Sequence, residues 1–380
     1  MNTELSMSRR KKTPFIRRHI PMTVITVLFI ITLGFSFVLR SSPELSCFFA
    51  FRVFDKVRIA LGFVSSLLPF CLSELLIILF VAYLIFWLVF SMICLIKRLV
   101  KKEPLSKLSK NLLLIPVAIL LTVGIIFNLS FCAGYFAPPV SEMMGIDTEL
   151  TEDELFFTLD YLVAVINDSC SKLSFENGSA KLTKSFSQVA DELVDCYDSL
   201  ALRYPILSQK SFKAKPILLS PLMTYTHVSG IYTFFTGEST VNTNYPDYIL
   251  PYTVSHEYSH QRGIAPENES NFLAFAACME SDDPFIRYSG AANAFSYIAD
   301  DAYALNEARY FEAIASLDKR LFEEYSAYRE FFKKYENNPA ADLSSAANDA
   351  YLKANGQEEG IVSYSLVSSL ISNYVCKEAK

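Results

Sequence analysis

The sequence predicts an N-terminal region of three transmembrane helices followed by a mainly α, α+β domain. Three observations carry this reading. Apolar runs long enough to cross a bilayer are confined to the front of the chain, the charge changes sign where they end, and helical periodicity dominates the remaining residues. The 380 residues are 52% hydrophobic with a formal net charge of −6, and the mean hydropathy is +0.27. Before Pro139 stand 16 Lys and Arg against 5 Asp and Glu, leaving 18 and 35 for the remainder. A basic, apolar front and an acidic back suit different solvents. Residues 1–139 are therefore assigned to a membrane anchor and residues 140–380 to one folded domain, long enough for a single core. The acidity of the back argues against nucleic acid as a partner, because phosphate binding needs clustered positive charge.

The anchor is read as three runs, 20–39, 72–96 and 112–136, each sufficient for about 30 Å of hydrocarbon. Ile59–Phe70 is apolar but short, and Pro69 interrupts it; it reads as a lead-in or re-entrant piece. The first run is too long for a cleaved signal, and Arg40 and Pro43 follow it instead of small residues. Orientation follows from the basic loops. Arg9, Arg10, Lys11, Lys12, Arg17 and Arg18 precede the first run, and Lys97, Arg98, Lys101, Lys102, Lys107 and Lys110 follow the second. Both segments belong on the cytoplasmic side. The expectation is a multi-pass cell-membrane protein with a cytoplasmic N-terminus and an extracytoplasmic domain.

In the domain, Thr151 and Glu154 form a capping box ahead of a helix to Ile166. Phe186–Leu202 is a second amphipathic helix. Pro216–Ser220 and Gly230–Thr236 carry strand patterns. Helices follow at about Leu250–Arg262, closed by Gly263, and at Glu267–Glu280. Asn337-Asn338-Pro339 breaks the chain before two last helices, Asp342–Ala354 and Ser363–Cys376. Eight cysteines include no CxxC pair, so a cysteine zinc site is not expected. A disulfide among Cys170, Cys196, Cys278 and Cys376 and buried free thiols are both compatible with the sequence.

The chemistry lies in His256-Glu257-Tyr258-Ser259-His260. Residues four apart on a helix share a face, so both imidazoles can reach one Zn²⁺. Glu257 stands beside them to take a proton from a water that zinc acidifies. This is the HExxH pattern of metallopeptidases, in a chain with only four histidines. Catalytic zinc needs a third protein ligand, and no histidine lies downstream. The acidic candidates are Glu267, Glu269 and Glu280. Phe272, Leu273, Phe275 and Ala276 would pack their helix against the zinc helix, allowing a first-turn carboxylate to reach the metal.

The stretch His256–Phe275, HEYSHQRGIAPENESNFLAF, resembles the signature HExxHQRG-x-x-x-E-x-E-[AS]-N-F-x-A-[FY] of a bacterial domain-of-unknown-function family, number 3810, which is membrane-anchored and zincin-like. Gly230–Asn242 (GIYTFFTGESTVN) and Tyr351–Tyr364 (YLKANGQEEGIVSY) match it as well. Ser270 stands where Ala is usual, and Pro266 lies in the inter-helix loop. The resemblance implies a gluzincin-type site with His256 and His260 as ligands, Glu257 as base and Glu269 as third ligand, so Glu269 is preferred over Glu267.

Three more residues receive roles. Gly230–Thr236 is the candidate edge strand for binding extended peptide by strand addition, with Glu238 and Asn242 lining the cleft. Tyr364 is the candidate donor to the oxyanion of the tetrahedral intermediate. His227 reads as a structural histidine. The expected function is a zinc metallopeptidase acting on peptide or wall-peptide amide bonds outside the cytoplasm. The alternative is a zinc-site membrane sensor without turnover.

Overall fold

The computed structural model describes residues 20–101, 111–357 and 364–379. The basic tail up to Arg18 and Lys102, Lys107 and Lys110 lie outside the described residues. Among the described residues two helices are long and apolar enough to cross a membrane, α1 (Ile20–Arg40) and α4 (Leu72–Val100). Between them run α2 (Pro43–Phe48), a π-helical turn over Phe49–Val53, and α3 (Phe54–Ser66). Ile59–Phe70, the expected lead-in or re-entrant piece, leads into α4. It is mostly the second half of α3, held so close to the domain that a Cβ on Gly62 would meet the Phe212 ring at 2.5 Å.

The third expected span is corrected at its end. Helix α5 runs Asn111–Ser130 and stops short of the expected Phe136; among the described residues its apolar part, Leu114–Ser130, is shorter than α1 and α4. The chain then enters a buried 3₁₀ turn, Cys132–Tyr135. Phe131 and Tyr135 pack with Tyr232, Ala265 and Leu352. An apolar run has the same composition whether it meets lipid or a protein core, and the end of this one meets the core.

The rest is mainly helical. It comprises α6 (Val140–Met143), α7 (Glu152–Lys172), the hairpin strands β1 (Phe175–Glu176) and β2 (Ser179–Ala180), and α8 (Phe186–Arg203). Next come β3 (Lys215–Pro216), α9 (Ser220–Met223), β4 (Gly230–Thr233), β5 (Glu238–Val241), α10 (Ile249–Gln261) and α11 (Glu267–Met279). The chain closes with α12 (Pro284–Leu305), α13 (Glu307–Ala313), α14 (Arg320–Lys333), α15 (Pro339–Ala354) and α16 (Tyr364–Glu378). The Thr151–Glu154 capping box is formed in both directions, and Ser185 and Gln188 make another on α8. None of the eight cysteines, all within the described residues, is in a disulfide.

A three-stranded sheet has the order β3-β5-β4, with β3 parallel and β4 antiparallel to β5. The strand expected over Pro216–Ser220 contracts to Lys215–Pro216, because the chain turns into α9 with a proline in its first turn. β4 stops at Thr233, whose carbonyl accepts the amides of Thr236 and Gly237; Gly237 there has φ 69°. β4 is the sheet edge beside α10. Helix α10 is central, and only His256 among its residues is not fully buried. A helix without a solvent face has no amphipathic stripe, which is why its neighbours α8, α11, α12, β4 and β5 surround it.

Arg58 ties the anchor to this centre. Its buried guanidinium donates to Ser130 O (2.8 Å), Ala50 O (2.8 Å) and Arg262 O (3.3 Å), with Asp55 at 3.6 Å. Two of these carbonyls close α5 and α10, where helix ends carry partial negative charge. Arg58→Met strands these acceptors and is expected to cost about 3 kcal/mol or more. Denaturant unfolding of the detergent-solubilised chain checks it; an unchanged midpoint would mean that the clamp adds nothing to stability.

Candidate metal centre

The candidate centre starts from how α10 ends. Gly263, at φ 96°, leaves the helix in the left-handed region. The Ile264 amide returns to Ser259 O (3.1 Å) and the Gly263 amide to His260 O (2.9 Å), a Schellman closure. The turn swings the Ile264 carbonyl back to accept His260 Nδ1–H at 2.8 Å. From α11, Asn271 Oδ1 accepts His256 Nδ1–H at 2.9 Å. With both Nδ1 atoms donating, it is Nε2 of each ring that offers a lone pair once deprotonated, the arrangement that orients metal-ligating histidines.

The two Nε2 atoms lie 3.0 Å apart. Glu267, at the first position of α11, completes the group, with Oε2 3.1 Å from His256 Nε2 and Oε1 3.6 Å from His260 Nε2. The three ligand atoms lie within 4.8 Å of one another. Tetrahedral zinc with bonds of about 2.0–2.1 Å needs ligand atoms about 3.4 Å apart, so the donor set and its spacing fit a divalent cation. Burial alone would lower the His256 pKa, but Glu267 holds it up at about 9. His260 is pushed by burial to about 4. Burial would raise Glu267, but the two imidazoles bring it down to about 2.

The carboxylate that joins the histidines is Glu267, not the expected Glu269. On a helix with 3.6 residues per turn, positions two apart point about 200° apart. Glu269 faces away and is buried, accepting Ser141 N (2.8 Å) and Ser141 Oγ (2.7 Å) from α6. Burial still keeps its pKa raised.

Glu257 is 4% exposed. Its Oε2 has no hydrogen-bond partner among the described residues, and the Tyr232 amide of β4 donates to the carboxylate. Burial lifts its pKa to about 8, against the pull of His256 and with the push of Glu267. Gly230 is required beside it, since a Cβ there would lie 2.6 Å from Glu257 Oε1 and 2.6 Å from Thr253 Cγ2.

The centre lies in a cleft of about 1170 Å³ whose walls include Ser229–Tyr232, Tyr328, and Asp342, Ser345 and Asn348 of α15. The edge-strand expectation is met in place, with β4 lining the cleft. Its two expected polar neighbours are elsewhere. Glu238 is buried and accepts Leu72 N (3.0 Å), Ser73 N (2.7 Å) and Lys215 Nζ (2.8 Å), so it serves the N-terminus of α4. Burial would raise its pKa, but these donors together hold it below the usual value. Asn242 is fully buried and donates to Val228 O and Thr224 Oγ1, both at 3.1 Å. Tyr364 opens α16, but its side chain lies outside the described residues. His227 is structural, with φ 57° and Nε2 2.9 Å from Tyr335 O. Sequence reasoning passed over Phe131, Tyr135, Asn271 and Tyr351. The Tyr135 and Tyr351 hydroxyls meet at 3.1 Å on the cleft wall. Asn271 lies within the motif stretch His256–Phe275 and Tyr351 opens the stretch Tyr351–Tyr364, which was their only signal.

A mainly helical α+β chain with two apolar helices of membrane-crossing length and a candidate His–His–Glu metal centre defines the class. The particular family is set by a match over residues 49–372 to the one described as "Protein of unknown function (DUF3810)", and the chain belongs to it. The match takes in α4, α5 and the whole candidate centre. No curated protein and no solved structure matches the chain.

Proposed function

We propose that the chain is a membrane-held zinc metallopeptidase of zincin-like design, with His256, His260 and Glu267 as ligands and Glu257 as general base. The observation that carries this reading is the convergence of two oriented imidazole lone pairs and one carboxylate beside a buried glutamate with a free oxygen. Zinc, when bound, supplies Lewis acidity that acidifies water and polarises a carbonyl. Asn271 and the Ile264 carbonyl fix the ring tautomers. The Tyr232 amide holds the Glu257 carboxylate in place, leaving Oε2 to accept the proton of the attacking water and pass it to the departing amide nitrogen. The free edge of β4 suits an extended peptide laid alongside it. A sensor without turnover has no use for Glu257, so hydrolysis is preferred.

The membrane placement rests on which helix ends meet the domain. The N-terminus of α4 (Leu72 to Glu238) and the C-terminus of α5 (Phe127 against the Phe234 and Tyr351 rings) touch it, and the C-terminus of α1 lies beside them, with Arg40 over the Phe136 ring. Lys97, Arg98 and Lys101 mark the far end of α4, which puts that end in the cytoplasm and the domain outside, with α5 returning the chain through the bilayer. The test is zinc content and peptide-library hydrolysis by the full chain in lipid. One zinc per chain is expected, with cleavage abolished by chelation and restored by zinc; a chain that retains no metal sinks the reading.

A further inference from the structure

Two apolar segments, the end of α3 with the turn after it and the turn into α9, flank the base of α4. Phe63, Val64, Leu67 and Phe70 are 54%, 57%, 68% and 46% exposed, and Leu218 and Leu222 are 83% and 65% exposed. They are fastened to the start of α4 and to each other. Lys215 Nζ donates to Ser65 O (2.7 Å) and Phe70 O (2.9 Å), and Cys71 Sγ to Pro216 O (3.1 Å). The amides of Leu218 and Leu219 bond the Glu74 carboxylate at 3.0 and 2.8 Å. Glu74 lies in the first turn of α4, and the apolar run from Leu75 to Ile96 comes directly after it. At 1.5 Å per residue that run spans about 33 Å, close to the thickness of the hydrocarbon. Leu218 and Leu219 are therefore pinned at the level where α4 leaves the hydrocarbon.

We propose that the Phe63–Phe70 and Leu218–Leu222 segments form a second membrane-contact surface, embedded in the outer lipid interface around the base of α4. Its occupant is the bilayer, because the patch is continuous with a helix whose side chains are apolar all round. A free-standing patch of this kind on a water-exposed domain would be a liability, whereas at the interface the same side chains gain from burial among acyl chains. The chain runs from this patch through Tyr225 into Thr226–Tyr232, which line the cleft. The surface thus sets the cleft close to the lipid, and it holds whether or not the site hydrolyses peptides.

The single tryptophan, Trp87, lies within α4, which permits a direct test. In a Trp87→Phe background, Leu67→Trp and Leu219→Trp are introduced singly into the full chain in phosphatidylcholine vesicles. The control is Leu305→Trp, whose site is 55% exposed and whose neighbour Asn306 bonds Glu152 on α7. Brominated acyl chains should quench most of the emission at positions 67 and 219, blue-shifted in both, and leave position 305 unquenched. Emission at 67 and 219 that matches 305 overturns the proposal. So does shielding from acrylamide without bromolipid quenching, which means protein covers the patch. Native Trp87 quenched by the same lipids confirms insertion, so failure of the vesicles cannot imitate either result.

Discussion

Glu257→Gln is expected to leave zinc bound and to slow peptide hydrolysis by about 10²–10⁴-fold, the range that positioned general bases contribute. The amide is isosteric with the carboxylate, and its carbonyl can still accept the Tyr232 amide, so α10 and β4 keep their contact. What is lost is a group able to receive a proton at the position of Oε2. Stability should not fall, because a buried carboxylate whose charged form burial already disfavours is replaced by a neutral group. The measurements are zinc stoichiometry, turnover and thermal midpoint on one preparation. Hydrolysis within a few-fold of the native chain would remove Glu257 from the reaction.

The second large effect separates two glutamates two positions apart. Glu267→Ala removes a proposed ligand, and zinc affinity should fall by more than the roughly 10–100-fold seen when only an outer hydrogen-bond partner is lost. Glu269→Ala should leave the metal in place. It strands the Ser141 amide and hydroxyl beneath α11, at a cost of about 1–3 kcal/mol. Calorimetric zinc titration and denaturant melts of both variants give the comparison. Zinc lost from Glu269→Ala with Glu267→Ala unaffected would reverse the assignment.

The motif helix, its closing glycine and the two imidazoles were legible because spacing alone fixes them. Positions four apart share a helix face, and a glycine after an apolar-backed helix marks its end. The choice of carboxylate was not legible, because it depends on where α11 begins. With Glu267 as its first residue, Glu267 faces α10 and Glu269 faces α6. Glu238 and Asn242 were read as cleft residues from polarity near the motif. Long-range contacts fix their actual work, which is to receive the start of α4 and to brace the Thr224–Val228 loop. The 112–136 run was read as lipid-facing throughout, since nothing local distinguishes Phe131 against Tyr232 from Phe131 against an acyl chain.

The turn after α5 bears on how the protein can be handled. The Phe131 ring lies 5.9 Å from the His260 ring and 5.4 Å from Tyr232, and a Cβ on Gly134 would strike Gly263 O at 2.3 Å. Truncating at Pro139 to obtain a soluble fragment would excise the floor beneath His260, strip Arg262 O of its guanidinium donor, and bare Tyr232, Ala265 and Leu352 to water. Expression and crystallisation efforts should therefore keep the hydrophobic front attached, or redesign those three faces before discarding it.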